Sequence, residues 1–172
     1  MNLSLGLRSR AKLHPALPAI EWERGIITYS QLECQVAALA HSLQHYHKLT
    51  KGAKIAIATE NCSEFLVILF AIWRAEMTAI PLNSKLHPKE FSWIFKNSGV
   101  DLVFASQNVA DELTFDKPII GLGNKDYKNH FKGGCISVVN ENSNIPAWIF
   151  YTSGTTGNPK GAVLSHQNLL SM

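Results

Sequence analysis

The sequence predicts an α/β fold, a mostly parallel sheet flanked by helices. Short, almost wholly apolar runs, such as residues 54–58 (KIAIA) and 100–105 (VDLVFA), alternate with longer segments whose apolar residues recur every three or four positions. Strands that are apolar on both faces belong to a sheet covered on both sides, the habit of parallel sheets with helical crossovers. The composition agrees: 46 % of the 172 residues are apolar and 17 % charged, which suits one globular domain with a sizeable core and excludes a disordered or fibrous chain.

The elements follow in order. After Tyr29, Ser30 can cap a helix, with Glu33 three residues on to close a capping box and Tyr29 and Cys34 as a hydrophobic staple. Leu32, Val36, Leu39, Ala40 and Leu43 give that helix one apolar face, which fades near His47. Residues 54–58 form a strand. Asn61 and Glu64 repeat the cap pattern ahead of a helix over FLVILFAIW (65–73), and MTAIPL (77–82) is a strand ending at Pro81. Pro88 and Glu90 open the next helix behind His87, Phe91, Ile94 and Phe95 bury it, and Gly99 suits a left-handed stop. Residues 100–105 and 117–122 (KPIIGL) are further strands with room for a short helix between them. Residues 123–146 are polar and rich in Gly, Asn and Lys, and are expected to run over the surface.

Several function classes are excluded. The net charge of +3 is small and its Lys and Arg are scattered, with no basic stripe and no aromatic interleaving, which argues against nucleic acid as a partner. Cys34, Cys62 and Cys135 are odd in number and contain no CxxC pair, so neither a zinc site nor a disulfide framework is indicated, and reduced, mostly buried thiols are expected. The N-terminus lacks the apolar stretch of a signal peptide, and the run 65–73 meets Arg74 and Glu76 too soon to span a bilayer. A soluble, cytoplasmic protein without a membrane span is expected. His41 and His45, four apart with His47 nearby, could form a metal face, but no acid or Cys accompanies them and surface histidines are the expectation. Trp73, Trp93 and Trp148 are expected in the core, and Lys125, Lys128 and Lys132 in solvent.

The chemistry lies near the end. A strand, Ala147-Trp148-Ile149-Phe150, runs into Tyr151-Thr152-Ser153-Gly154-Thr155-Thr156-Gly157-Asn158-Pro159-Lys160-Gly161. Glycines let backbone N–H groups approach a ligand closely, successive N–H groups make an anion-binding concavity, hydroxyls add donors, and Lys160 supplies a compact positive charge. Pro159 stiffens the exit. Such a loop suits a polyphosphate. It is not the GxxxxGK[ST] P-loop, since Gly157 precedes Asn158 and Gly161 follows Lys160. AVLS (162–165) reads as another strand and Ser165 as the cap of a helix beginning HQNLL, so the loop is expected to join two strands. His166 could approach phosphate, though helix capping or solvent exposure is the expectation.

The eleven residues from Tyr151 to Gly161 closely resemble the phosphate-binding signature of the adenylate-forming superfamily, which includes acyl-CoA synthetases, coumarate-CoA-type ligases, luciferases and nonribosomal-peptide adenylation domains. The likeness extends over residues 27–43 (ITYSQLECQVAALAHSL) and from Gly52 to Gly99, and is loose over 106–146. It implies that residues 1–172 are the N-terminal α/β subdomain of the adenylate-forming enzyme fold, with ATP contacts from Thr152, Ser153, Gly154, Thr155, Thr156, Gly157 and Lys160, and Mg²⁺ reached through the ATP phosphates at Thr156. In the family a carboxylic acid attacks the α-phosphate of ATP, releasing pyrophosphate, and a thiol such as coenzyme A then takes the acyl group. The implied function is therefore an ATP-dependent acyl-CoA synthetase, a ligase. Loading of a carrier protein, or a non-catalytic nucleotide-binding remnant, are the alternatives. The family's adenine, ribose and Mg²⁺ contacts and its catalytic lysine would lie beyond Met172, so the chain alone is expected to be inactive, and the surface left open could support a homodimer. One departure stands out: Arg74-Ala75-Glu76-Met77 replaces the family's small Lys-Ala-Gly-Ala turn, and Glu76 would disfavour a positive φ there.

Overall fold

The computed structural model describes residues 1–23, 25–136, 144–152 and 158–172. Its elements run α1 (Ser4–Leu13), β1 (Pro18–Trp22), β2 (Gly25–Thr28), α2 (Tyr29–His45), β3 (Lys54–Ala58), α3 (Ser63–Arg74), β4 (Thr78–Pro81) and α4 (Pro88–Ser98). Then follow β5 (Leu102–Ala105), α5 (Gln107–Glu112), β6 (Ile119–Gly121), α6 (Lys125–Asn129), β7 (Pro146–Thr152), β8 (Lys160–Ser165) and α7 (His166–Leu170). Strands β6-β5-β3-β4-β7-β8 form one sheet in that order, parallel throughout except for β8, which returns antiparallel to β7. β1 and β2 make a separate antiparallel hairpin.

The apolar strands are central because alternate side chains feed two cores. Ile55, Ile57, Leu102 and Phe104 pack with Leu39 and Leu43 of α2 and Ile68 and Ile72 of α3. Ala56, Ala58, Val103 and Ala105 point the other way, against Phe91, Ile94 and Phe95 of α4. The sheet is thus covered on both faces, as the unbroken apolar runs require. No helix among the described residues is long and apolar enough to cross a membrane.

α4 forms as its sequence dictates. His87 accepts a hydrogen bond from Lys89 N at 3.2 Å, Glu90 accepts one from His87 N at 2.9 Å, and Pro88 occupies the first turn. Gly99 ends the helix at φ 69°. Elsewhere the structure departs from the local signals. The cap of α2 is Thr28, not Ser30, and its box partner is Gln31, not Glu33. α3 is preceded by Cys62 with no side-chain cap, in place of the expected Asn61 and Glu64 pair. α1 and the β1–β2 hairpin are additional to the expected elements. Residues 123–146 are not wholly superficial: α6 buries Tyr127, and His130 beside it is buried too. The cysteines are free but not mostly buried, since Cys34 and Cys135 are exposed and Cys62 is half-buried. Glu76 takes a positive φ of 60° although it is not glycine. Its carbonyl accepts from Gly52 N at 2.8 Å, a backbone contact that ties the turn to the approach to β3, and its carboxylate meets Lys51 Nζ at 2.7 Å.

Candidate functional site

β7 and β8 form an antiparallel hairpin that runs from Pro146↔Ser165 through Trp148↔Leu164 and Tyr151↔Gly161 to Thr152↔Lys160. The expected strand–loop–strand arrangement is therefore present. Ser153, Gly154, Thr155, Thr156 and Gly157 lie outside the described residues. Of the sequence-derived site residues, the structure brings Thr152 and Lys160 directly opposite each other at the head of the hairpin, both exposed. Directly opposed residues of an antiparallel pair stand roughly 4.5–5.5 Å apart at their Cα atoms. Among the described residues no carboxylate pairs with the Lys160 ammonium.

The root of the hairpin is fixed by the layer beneath. Trp73 Nε1 of α3 donates to Ala147 O at 2.8 Å, and Thr78 Oγ1 donates to Pro146 O at 3.3 Å. β7 pairs with β4 at Ala79↔Trp148. Further along, Tyr151 OH donates to Asn97 Oδ1 at 2.7 Å, and its ring meets Trp93 edge-on with centroids 6.3 Å apart. Burial raises the Tyr151 phenol above its ordinary range, against a lowering contribution from Ser98. A cavity of about 560 Å³ opens beside this face, lined by Tyr151, Gly161, Asn97, Lys54 and Glu76 among others. Tyr151 and Gly161 stand within the motif but are not among the ATP contacts that the resemblance implies. Asn97 and Trp93 carried no local signal, because their part depends on where α4 crosses the hairpin.

His166 is not at the loop. It opens α7 behind the Ser165 cap, whose hydroxyl accepts from Asn168 N at 3.2 Å. Five residue steps of strand, roughly 17 Å, separate Ser165 from Lys160. Contrary to the expected capping or exposed role, His166 is wholly buried, its Nδ1 accepts from Leu3 N at 3.3 Å, and burial with the nearby amino terminus lowers its pKa to about 4. The other histidines meet elsewhere: His41 and His45 rings lie 4.3 Å apart, His47 and His130 rings 4.9 Å apart, and Ser42 Oγ shares a 2.8 Å hydrogen bond with His130 Nδ1. Among the described residues no group of three or more His, Cys, Asp or Glu is placed to hold a metal ion.

The chain is 30 % identical to Gramicidin S synthase 2 of Brevibacillus brevis over 94 % of its own length and 4 % of that protein's. It is 31 % identical to 2-succinylbenzoate–CoA ligase of Bacillus cereus (strain AH820), again over 94 % of its own length and 32 % of that protein's. Its structure superposes on Mycobacterium tuberculosis fatty acyl CoA synthetase with a TM-score of 0.82 and 26 % identity, covering 96 % of this chain and 34 % of that one. The chain thus spans well under half the length of each of these proteins. The pattern of the AMP-binding enzyme family matches residues 7–172, almost the whole chain, and the chain belongs to that family.

Proposed function

We propose that this chain is the N-terminal α/β subdomain (residues 1–172) of an ATP-dependent acyl-CoA synthetase and supplies its grip on the ATP phosphates. The observation that carries the reading is the placement of Thr152 opposite Lys160 at the head of an antiparallel hairpin, with the hydroxyl- and glycine-rich segment 153–157 between them in sequence. The donor set fits a polyphosphate: hydroxyls of Thr152, Ser153, Thr155 and Thr156, backbone N–H groups beside Gly154 and Gly157, and an exposed ammonium on Lys160. Bound Mg²⁺ would offset charge on the β- and γ-phosphates, with Thr156 the candidate contact.

In the proposed reaction a carboxylate oxygen of the acid bonds to the α-phosphorus while the α–β bridging P–O bond breaks. Pyrophosphate leaves and an acyl-adenylate remains. The coenzyme A thiolate then bonds to the acyl carbon and displaces AMP. The hairpin's part is to hold the departing phosphates in line and to place a positive charge where negative charge develops. A second reading, adenylation for transfer to a carrier protein, draws on the similarity to a synthase of the peptide gramicidin S. In either case the chain alone is proposed to bind nucleotide without turnover, because it spans only part of its relatives' length. The outer edge of β8, where Val163 is exposed, is proposed as a self-association surface, and a strictly monomeric chain in sedimentation would refute it.

Calorimetric titration of the chain with MgATP tests the central reading. Binding in about the millimolar range is expected, weakened at least about fivefold by Lys160→Ala, equivalent to about 1 kcal/mol. No binding, or equal binding by both proteins, overturns it. Carboxylate-dependent ATP–pyrophosphate exchange by the 172-residue chain would contradict the claim that it does not turn over.

A further inference from the structure

We propose that Tyr151, Asn97 and Gly161 form a positioning clamp that sets the direction in which the head of the β7–β8 hairpin presents Thr152 and Lys160 to a phosphate ligand. The inference rests on the phosphate-binding reading above and assigns residues that the reading itself does not need.

The hairpin requires such a fixture. β7 is paired to β4 at Ala79↔Trp148, and residues 149–152 continue beyond that point with β8 as their strand partner. On its other side β8 is the outermost strand of the sheet. A two-stranded ribbon projecting from a sheet is free to twist and swing unless something holds it from a face. Tyr151 is that hold. It immediately precedes Thr152, and strand alternation sends the two side chains to opposite faces. The face that Tyr151 takes is the one covered by α4, where Asn97 accepts its hydroxyl hydrogen at 2.7 Å and Trp93 meets its ring at 87°. Trp93 and Asn97 stand four apart on α4 and so lie side by side on one helix surface.

Gly161 completes the clamp from the second strand. It is the register partner of Tyr151, and a Cβ built there would lie 2.9 Å from Tyr151 Cζ and 3.0 Å from Ile149 Cγ2. The Tyr151 ring therefore lies across the bare backbone of β8. It touches both strands at the last pair before Thr152↔Lys160, and α4 holds it by its hydroxyl. Anchoring at that pair lowers the freedom that the hairpin head must lose when it takes a ligand, which is the contribution a positioning residue makes to affinity.

The test is MgATP titration of the chain and its variants Tyr151→Phe, Asn97→Ala, Asn97→Asp, Gly161→Ala and Lys160→Ala, with the fold of each checked by circular dichroism. Tyr151→Phe and Asn97→Ala are each expected to weaken binding about three- to tenfold, the range of one lost hydrogen bond. Their double variant should be no weaker than the weaker single one, since both remove the same contact. Asn97→Asp retains an acceptor and should restore most of the affinity, which a merely structural role for the residue would not produce. Gly161→Ala should weaken binding at least as much as Tyr151→Phe. If Lys160→Ala weakens binding while Tyr151→Phe and Asn97→Ala bind as the parent does, the clamp is refuted and the phosphate reading stands. If Lys160→Ala has no effect, or the parent binds no MgATP, both are refuted. If Asn97→Asp binds as weakly as Asn97→Ala, the hydrogen bond is not the agent and the clamp is again refuted.

Discussion

Arg74 and Glu33 meet in a two-pronged ion pair, Nη1 donating to Oε1 at 2.8 Å and Nη2 to Oε2 at 2.6 Å. The Arg74 side chain is fully buried at the end of α3, and Glu33, on α2, is its sole charged partner among the described residues. The pair links the two helices that cover one face of the sheet. Removing the carboxylate would strand a guanidinium that has no route to water. Glu33→Ala is therefore expected to destabilise the fold by about 3 kcal/mol, and Arg74→Met, which removes the charge along with its need for a partner, by distinctly less. Urea unfolding of the three proteins measures both. A Glu33→Ala midpoint equal to that of the parent would remove the pair from any account of stability.

The same pair explains what could and could not be read from the sequence around α2. Thr28 and Ser30 are both good caps, and each has a suitable partner three residues on, Gln31 or Glu33. Local chemistry does not choose between them. Glu33 is committed to Arg74, forty-one residues away, and the helix is capped at Thr28, two residues before Ser30. β3, β5 and α4 were legible because burial on both faces, or caps at both ends, writes a pattern into consecutive residues. α1 was not, since only Ser4, Leu7 and Ala11 of its ten residues are buried. The β1–β2 hairpin was missed for the same reason, with no wholly buried residue in either strand. In the candidate site, Thr152 and Lys160 were legible as a motif. The Tyr151–Asn97 contact was not, because it depends on how a helix some fifty residues earlier crosses the hairpin.

Glu76 supplies a second test. At φ 60° its Cβ crowds the backbone, a cost of about 1 kcal/mol that glycine avoids. Its ion pair with Lys51, whose side chain is 63 % exposed, offsets little of this. Glu76→Gly is expected to raise stability by about 0.5–1 kcal/mol, and Glu76→Val, β-branched at the same φ, to lower it by about 2 kcal/mol or more. Thermal unfolding separates the outcomes. A Glu76→Gly protein less stable than the parent would mean that the carboxylate contributes more than the strain removes.

Three imidazoles make stability depend on pH in one direction. Burial lowers His47 to about 4, assisted by His130, and lowers His166 to about 4, assisted by the amino terminus. Burial also lowers His130, against an opposing pull from Asp126. In the unfolded chain these groups take their protons near pH 6.5. Between about 6.5 and 4 the unfolded state therefore binds protons that the folded state refuses. The stabilising contribution is whole above about pH 6.5 and is lost as pH falls toward 4, with a slope of at most about 1.4 kcal/mol per pH unit for each group. Urea midpoints should fall between pH 7 and pH 4.5, and His166→Gln should flatten the decline. Equal midpoints at the two pH values would contradict the burial of neutral imidazoles.

The two tryptophans at the root of the hairpin separate packing from hydrogen bonding. Trp73 and Trp148 have ring centroids 6.2 Å apart, and each loses the same atoms on replacement by phenylalanine. Only Trp73 Nε1 has an acceptor, the carbonyl of Ala147 at 2.8 Å, while Trp148 Nε1 is buried without a partner among the described residues. Trp73→Phe removes a buried hydrogen bond between α3 and β7. Trp148→Phe removes an orphaned donor and with it a penalty. The difference between the two substitutions should be about 2 kcal/mol, with Trp73→Phe the more damaging. Because Ala147 is the second residue of the strand that leads to Thr152, Trp73→Phe should also weaken MgATP binding, and Trp148→Phe should weaken it less. Equal losses of stability in the two variants would show that ring volume, and not the bond to Ala147, seats β7 on α3.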